Sequence, residues 1–195
     1  MMSGAEAVYM LILMRMKNEL NPYDELRFHK STLFLNIFSQ KKCFKINNYL
    51  IIDYYPEIEQ LAKQQAQLIS TLNANSEDYL DVFYQMQEQR IKESYQRSIP
   101  YILHSAHFIN SITDNRTLVL VSALVGLLDM YPQSNIDDLM ELLDQFGYSH
   151  EIFSRQKVLT TIINLERSGV FKQSEGKYSL KYNYKGVTAY KNLFL

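Results

Sequence analysis

SHEIFSRQKVLTTIINLERSGVFKQSEGKYSLKY, residues Ser149 to Tyr182, is the stretch from which the architecture is read. From Ile152 onward the apolar positions Phe153, Val158, Leu159, Ile162, Ile163 and Leu165 keep a helical spacing, which predicts one helix with a single buried stripe. Gly169 suits the left-handed position just past a helix end. Behind it, Tyr178, Leu180 and Tyr182 alternate with Lys177, Ser179 and Lys181, the pattern of a half-buried strand. Ser174-Glu175-Gly176-Lys177 is the matching turn. Helix, glycine stop and basic hairpin, in that order, describe the back half of a winged helix.

Upstream elements complete such a unit. Leu118 to Met130 is apolar on nearly every side and belongs at the centre of the C-terminal part. Ser134-Asn135-Ile136-Asp137 has capping-box spacing with Asp in the place of Glu, which puts the helix cap at Ser134. It opens Ile136-Leu139-Met140-Leu143-Phe146, a second single-stripe helix that Gly147 stops. Further back, Ser98 and Pro100 mark the start of a helix carrying Tyr101, Leu103, Phe108 and Ile109 inward.

The N-terminal half reads as a helical body. A helix is predicted over residues 5–20, broken by Asn21-Pro22, and a second from Asp24 to Gln40 with Leu26, Phe28, Leu33, Phe34, Ile37 and Phe38 as its core side. Residues 41–55 are β-rich and fit a short hairpin. Pro56 opens a third helix, Asn73-Ala74-Asn75-Ser76 is a connection, and residues 77–97 form a long polar-faced helix. The expected fold class is mainly α: a helical N-terminal body with a short β hairpin over residues 1–112, then a C-terminal winged helix-turn-helix over residues 113–195. The body is itself compatible with a degenerate winged helix plus a long helix.

Charge distribution carries more than its total. Net charge is −1, yet residues 112–149 hold 1 basic and 6 acidic side chains while residues 150–195 hold 8 and 3. The cationic excess therefore gathers at the winged-helix end, as a phosphate backbone or an acidic partner requires. In such a unit the polar face of the second turn helix can enter the major groove while the wing contacts phosphate. Ser154, Lys157, Thr161, Asn164 and Ser168 recur every three or four residues, Arg155 lies beside them, and Lys172, Lys177 and Lys181 decorate the wing. The candidate DNA-binding residues are accordingly Ser154, Arg155, Lys157, Thr161, Asn164, Lys172, Lys177 and Lys181. Against a conventional docking stands the preceding helix, whose exposed face holds Asp137, Asp138, Glu141 and Asp144 and would be repelled by a duplex. A protein-binding wing remains the other reading of the same cations.

No reaction centre is legible. The six glycines never cluster into a phosphate-cradling loop, and no serine sits in a nucleophile elbow. Asp53, Glu57, Glu59 and Lys63 would serve a metal-dependent nuclease, but Pro56 interrupts them and acids at a helix start explain Glu57 and Glu59. His104 and His107 share a helix face without a third ligand at suitable spacing, and His29 and His150 are remote in sequence. Cys43 is the single cysteine, so neither a disulfide framework nor a thiolate zinc cluster arises. The expectation is a protein that is not an enzyme and holds no metal or cofactor. A reducing cytoplasmic setting is the matching default, since the apolar run at residues 7–14 is too short to span a bilayer. Fifteen tyrosines with no tryptophan suit wet contacts with another macromolecule.

Two resemblances follow from particular residues. Leu127 through Leu180, with Phe146-Gly147-Tyr148-Ser149, then Val158-Leu159 and Leu165, then Ser168-Gly169-Val170-Phe171, resembles the winged-helix half of bacterial regulators such as the PaaX family. Glu6-Ala7-Val8-Tyr9-Met10-Leu11, Leu33-Phe34-Leu35-Asn36-Ile37-Phe38, and Phe83 with Arg90 ahead of Ser98-Ile99-Pro100-Tyr101-Ile102-Leu103 resemble the middle component of three-component bacterial defence systems of the Lamassu type. The second resemblance implies an accessory subunit that docks on an SMC-like ABC ATPase and its effector nuclease, much as winged-helix subunits dock on condensins. It implies no catalysis of its own and leaves contact with double-stranded DNA to the basic end. The alternative is a free-standing winged-helix transcriptional regulator, dimeric through residues 77–96.

Overall fold

The computed structural model describes residues 30, 33–34, 37–38, 99–148, 151–181, 188 and 190. Its elements are α1 (Ile99–Asn110), α2 (Asn115–Met130), α3 (Ile136–Gln145), α4 (Arg155–Arg167), β1 (Phe171–Ser174) and β2 (Lys177–Leu180). The described part is thus mostly helical, with one antiparallel hairpin. Expectations for residues 5–20, 41–97 and 182–187, the acids near Pro56, Cys43, His29 and His150 lie outside the described residues. Lys30, Leu33, Phe34, Ile37 and Phe38 are helical, and Leu33, Phe34, Ile37 and Phe38 are buried, as their spacing predicts.

Helix α2 is the centre of the packing. Asp114 caps it, its carboxylate accepting from the amides of Thr117 at 2.7 Å and Arg116 at 3.3 Å. Leu118, Leu120, Val121, Ala123, Leu124, Val125, Leu127 and Leu128 are all buried, so α2 is enclosed rather than one-sided. It packs against α3, α4 and β2, while α4 rests on β1. No helix among the described residues is long and apolar enough to cross a membrane.

The cap of α3 sits one residue later than the spacing suggested. Asn135 is the cap: its side-chain oxygen accepts from the amides of Asp137 and Asp138, and the Asp138 carboxylate accepts from the Asn135 amide in return at 2.8 Å. Ser134 is occupied otherwise. Its hydroxyl donates to the Tyr131 carbonyl, and its own carbonyl accepts from the Tyr178 amide at 2.8 Å, forming a single β-bridge to β2. With the Ser134 hydroxyl directed to Tyr131, the box is closed by Asn135 and Asp138.

Helices α3 and α4 end alike. Gly147 at φ 85° donates to Asp144 and Tyr148 to Leu143; Gly169 at φ 78° donates to Glu166 and Val170 to Leu165. Both are complete Schellman closures, in which a left-handed residue returns two amides to the last carbonyls. Tight closure is what turns the chain from α4 directly into β1.

Helix α4 begins later than Ile152. Residues 151–153 form a turn, Ser154 caps the helix, and the buried face consists of Val158, Thr161, Ile162, Asn164 and Leu165. Ile163, expected in the core, is 42% exposed, and Ile152 is 43% exposed. The true inward stripe is rotated by about one residue and is partly polar.

Candidate nucleic-acid interface

The hairpin is built around one buried pair. Phe171 faces Leu180, Lys172 faces Ser179, Gln173 faces Tyr178 and Ser174 faces Lys177. Side chains alternate along a strand, and directly opposed residues share a face. Phe171, Gln173, Tyr178 and Leu180 therefore make the inner face: Phe171 and Leu180 are buried, and Tyr178 packs half-buried on the core. Lys172, Ser174, Lys177, Ser179 and Lys181 make the outer face, and all three lysines are exposed. Lys172 stands opposite Ser179 and diagonal to Lys177 and Lys181, a separation of about 7–8 Å for such neighbours. Lys181 continues the ladder by donating its amide to the Val170 carbonyl at 2.8 Å. The turn has positive φ at both Glu175 (51°) and Gly176 (76°), the twist a two-residue hairpin needs.

Among the described residues no carboxylate pairs with Lys172, Lys177 or Lys181. The cations of α4 are placed differently. Arg155 is ion-paired with Asp137 of α3 at 2.5 Å, with both side chains largely exposed, so the pair contributes about 0.2–1 kcal/mol but half-neutralises the start of α4. Lys157 lies near Asp114. That carboxyl is held below its ordinary value chiefly by the Thr117 side-chain hydrogen bond, against a smaller desolvation effect; backbone hydrogen bonds from Thr117 and Arg116 and the attraction of Lys157 add to the lowering. Arg116 reaches back to the Ile152 carbonyl and lies over the Phe153 ring at 5.9 Å. Among the described residues, these three lysines share one exposed sheet face without a carboxylate partner.

The expected groove-reading stripe of α4 is not an outer face. Ser154 is exposed, but its hydroxyl caps the helix by accepting from the Lys157 amide at 3.3 Å. Thr161, Asn164 and Ser168 are each 1% exposed. Thr161 donates its hydroxyl proton to the Lys157 carbonyl one turn back, at 2.8 Å. Burial removes Thr161 and Asn164 from contact with a duplex in this arrangement, which corrects the expectation that they line a solvent-facing row. A 3–4 spacing of polar residues names a common face; it does not say what covers that face.

Among the described residues, Thr188 and Tyr190 lie against it. The Thr188 amide donates to the Ser168 carbonyl and the Tyr190 amide to the Ser111 hydroxyl, both at 2.7 Å. The Tyr190 ring meets Phe108 edge-on at 6.5 Å, and Phe108 meets Phe34 at 5.0 Å. The Asn164 and Thr161 side chains lie beside the Tyr190 hydroxyl. Burial raises the phenol's pKa above its usual value, and hydrogen bonding from Asn164 and Thr161 to the ionised form opposes the rise. The Asn164 side-chain oxygen finds no partner in the protein among the described residues. An orphaned buried acceptor costs about 1–3 kcal/mol, comparable to what a buried ring of this size contributes. Nothing periodic in the sequence flags Tyr190, and the sequence reading missed it.

The acidic face of α3 is as expected: Asp137, Asp138, Glu141 and Asp144 are all exposed. Asp138 is engaged in the cap and Glu141 accepts from Gln145 at 3.2 Å. His104 lies edge-on to Phe38 at 5.6 Å, its pKa lowered by desolvation and then by neighbouring His107, which is exposed. Among the described residues no three His, Cys, Asp or Glu side chains gather to hold a metal ion. What this surface can do chemically is attract a polyanion on one sheet face and repel it from α3.

Compared with protein-family models, with curated proteins and with solved structures, the chain matches none.

Proposed function

We propose that this chain is a non-catalytic accessory subunit whose C-terminal winged helix grips DNA by its phosphates, in the service of a larger partner. The order α2, the Ser134 bridge, α3, α4 and the β1–β2 hairpin supports the winged-helix reading of residues 113–195. The observation that carries the functional reading is the contrast between two sets of side chains. Lys172, Lys177 and Lys181 lie exposed on one face of the hairpin, whereas Thr161 and Asn164, the residues suited to base edges, are buried. Lysines on phosphate give affinity without sequence preference; base recognition needs the side chains that are covered.

That asymmetry favours an accessory subunit over the alternative, a free-standing regulator, which would need an accessible base-reading row. The Lamassu-type resemblance makes an SMC-like ATPase and its effector nuclease the partners to test, within a cytoplasmic defence system directed at foreign DNA. Any bond-breaking chemistry is assigned to those partners. The acidic face of α3, repelled by a duplex, is left for the protein side of such a complex.

The test is duplex binding at a series of salt concentrations, alongside a search of the neighbouring open reading frames for an SMC-like ATPase and co-purification with its product. Weak binding, steep in salt and indifferent to sequence, is the expected result. Strong preference for one short duplex would transfer the assignment to the regulator.

A further inference from the structure

On the outer face of the hairpin the two strands present lysine and serine to each other. Lys172 stands opposite Ser179 and Ser174 opposite Lys177, and Lys181 continues the same face one step further along the ladder. Granted the phosphate-binding reading of the hairpin, on which this rests, we infer that these three steps form a track for three successive phosphates of one DNA strand. Each phosphate meets one lysine, and the Ser179 and Ser174 hydroxyls set the register.

Spacing is the first support. Side chains on one face of a strand recur every second residue, about 6.6–6.8 Å apart. Successive phosphates of one duplex strand rise about 3.4 Å and turn by about a tenth of a revolution, which sets them about 6–7 Å apart. The steps at Lys181, Lys172–Ser179 and Ser174–Lys177 therefore keep pace with a single strand. They occupy a band one strand spacing wide, about 4.8 Å, whereas the two backbones of a duplex face each other across grooves about 6 and 12 Å wide.

Chemistry is the second. Directly opposed side chains have Cβ atoms about 4.5–5.5 Å apart, so an ammonium and a hydroxyl can donate to one phosphate together. The lysine brings charge on a flexible stem; the serine is short and fixed to the strand, so it is the group able to hold a phosphate in place. Elsewhere hydroxyls are already engaged: those of Ser134 and Thr161 donate to backbone carbonyls, and that of Ser154 caps α4. Among the described residues nothing engages the hydroxyls of Ser174 and Ser179. The three steps hold no acid to repel a phosphate and no aromatic ring on which a base could stack.

The test uses the full-length protein and fluorescence anisotropy at several salt concentrations, on two labelled probes. One is a DNA duplex; the other is the same DNA strand paired with a peptide nucleic acid, whose backbone is uncharged. The hairpin's share of the salt slope is the difference between the parent and the variant with Lys172, Lys177 and Lys181 all changed to Gln. That share is expected to be about −2.7 on the DNA duplex and about −2.1 on the hybrid, three contacts at single-strand charge density. A share of about −1.4 or weaker on the hybrid, with the full share on the duplex, divides the contacts between strands and overturns the track. A share on neither probe removes the phosphate-binding reading itself.

The serines are read separately. Ser174→Ala with Ser179→Ala is expected to lower affinity at least about fivefold at every salt concentration with the slope unchanged, because neutral donors release no counterions. The matching pair of Thr substitutions keeps the hydroxyls and the parent affinity. The pair of Val substitutions, equally β-branched and equally suited to a strand, lacks them and binds as the Ala variant does. Equal affinity of the Thr and Val variants overturns the role given to the hydroxyls, whatever the Ala variant does to folding.

Discussion

Replacing Lys172, Lys177 and Lys181 together by Gln removes three charges from the outer face of the hairpin and leaves its inner pairing untouched. Phe171 and Leu180 stay buried, the Ser134–Tyr178 bridge is a backbone contact, and none of the three lysines pairs with a carboxylate among the described residues. Folding stability should therefore move by less than about 0.5 kcal/mol, the usual range for exposed substitutions. Duplex binding should move much more. Each phosphate neutralised contributes about −0.9 to the slope of log affinity against log salt, so three contacts make a slope of about −2.7. Between about 50 and 200 mM salt that slope lowers affinity about 40-fold in the parent. In the triple variant this steep component should vanish, and each single Lys→Gln should remove about one unit of slope. Fluorescence anisotropy of a labelled duplex, titrated at several salt concentrations, reads both quantities. A slope that changes by less than about one unit in the triple variant would place the phosphate contacts elsewhere and refute the wing as the DNA-facing surface.

Further perturbations test the supports of that surface. Gly147→Ala places an L side chain at φ 85° where no neighbouring atom obstructs a Cβ, so the loss is the backbone cost alone, about 1–2 kcal/mol, read as a lower urea midpoint. Glu175→Asn should gain about 0.5–1 kcal/mol, since Asn accepts the left-handed backbone that Glu175 now occupies at φ 51°, and, on the proposed function, it should tighten duplex binding by removing an acid from the hairpin turn. Stability should also fall on acidification. The unfolded chain takes up a proton at His104 near 6.5, whereas the folded chain, with that pKa lowered, resists until more acidic pH. Stability is thus full above about 6.5, declines as pH drops through the interval down to the folded value, and His104→Gln should flatten that part of the urea-midpoint profile.

How much of this was legible beforehand differs from element to element. The enclosed helix α2, the single-stripe helix α3, the stops at Gly147 and Gly169 and the hairpin turn at Glu175-Gly176 were all readable, because each depends on neighbours within a few residues. So was the sharing of one hairpin face by Lys172, Lys177 and Lys181, since alternation along a strand is local. The capping box was found but set one residue early at Ser134. That serine is claimed by a bridge to Tyr178, a partner 44 positions away, and local spacing has no access to such competition.

The polar row of α4 shows the same limit where it matters most. Period alone placed Thr161, Asn164 and Ser168 on one face, and they do share one. Period also put Ile163 inside and Thr161 outside, and both are reversed. Whether a face meets solvent or protein depends on which distant segment lies across it, here the one bearing Thr188 and Tyr190, together with Phe108 beneath. By itself the sequence determined the helices, their stops and the charge along the hairpin, since these follow from backbone geometry and side-chain periodicity. Only the tertiary structure decided which charges stand unpaired and which polar groups are hidden, because burial is a property of contacts between residues far apart in the chain.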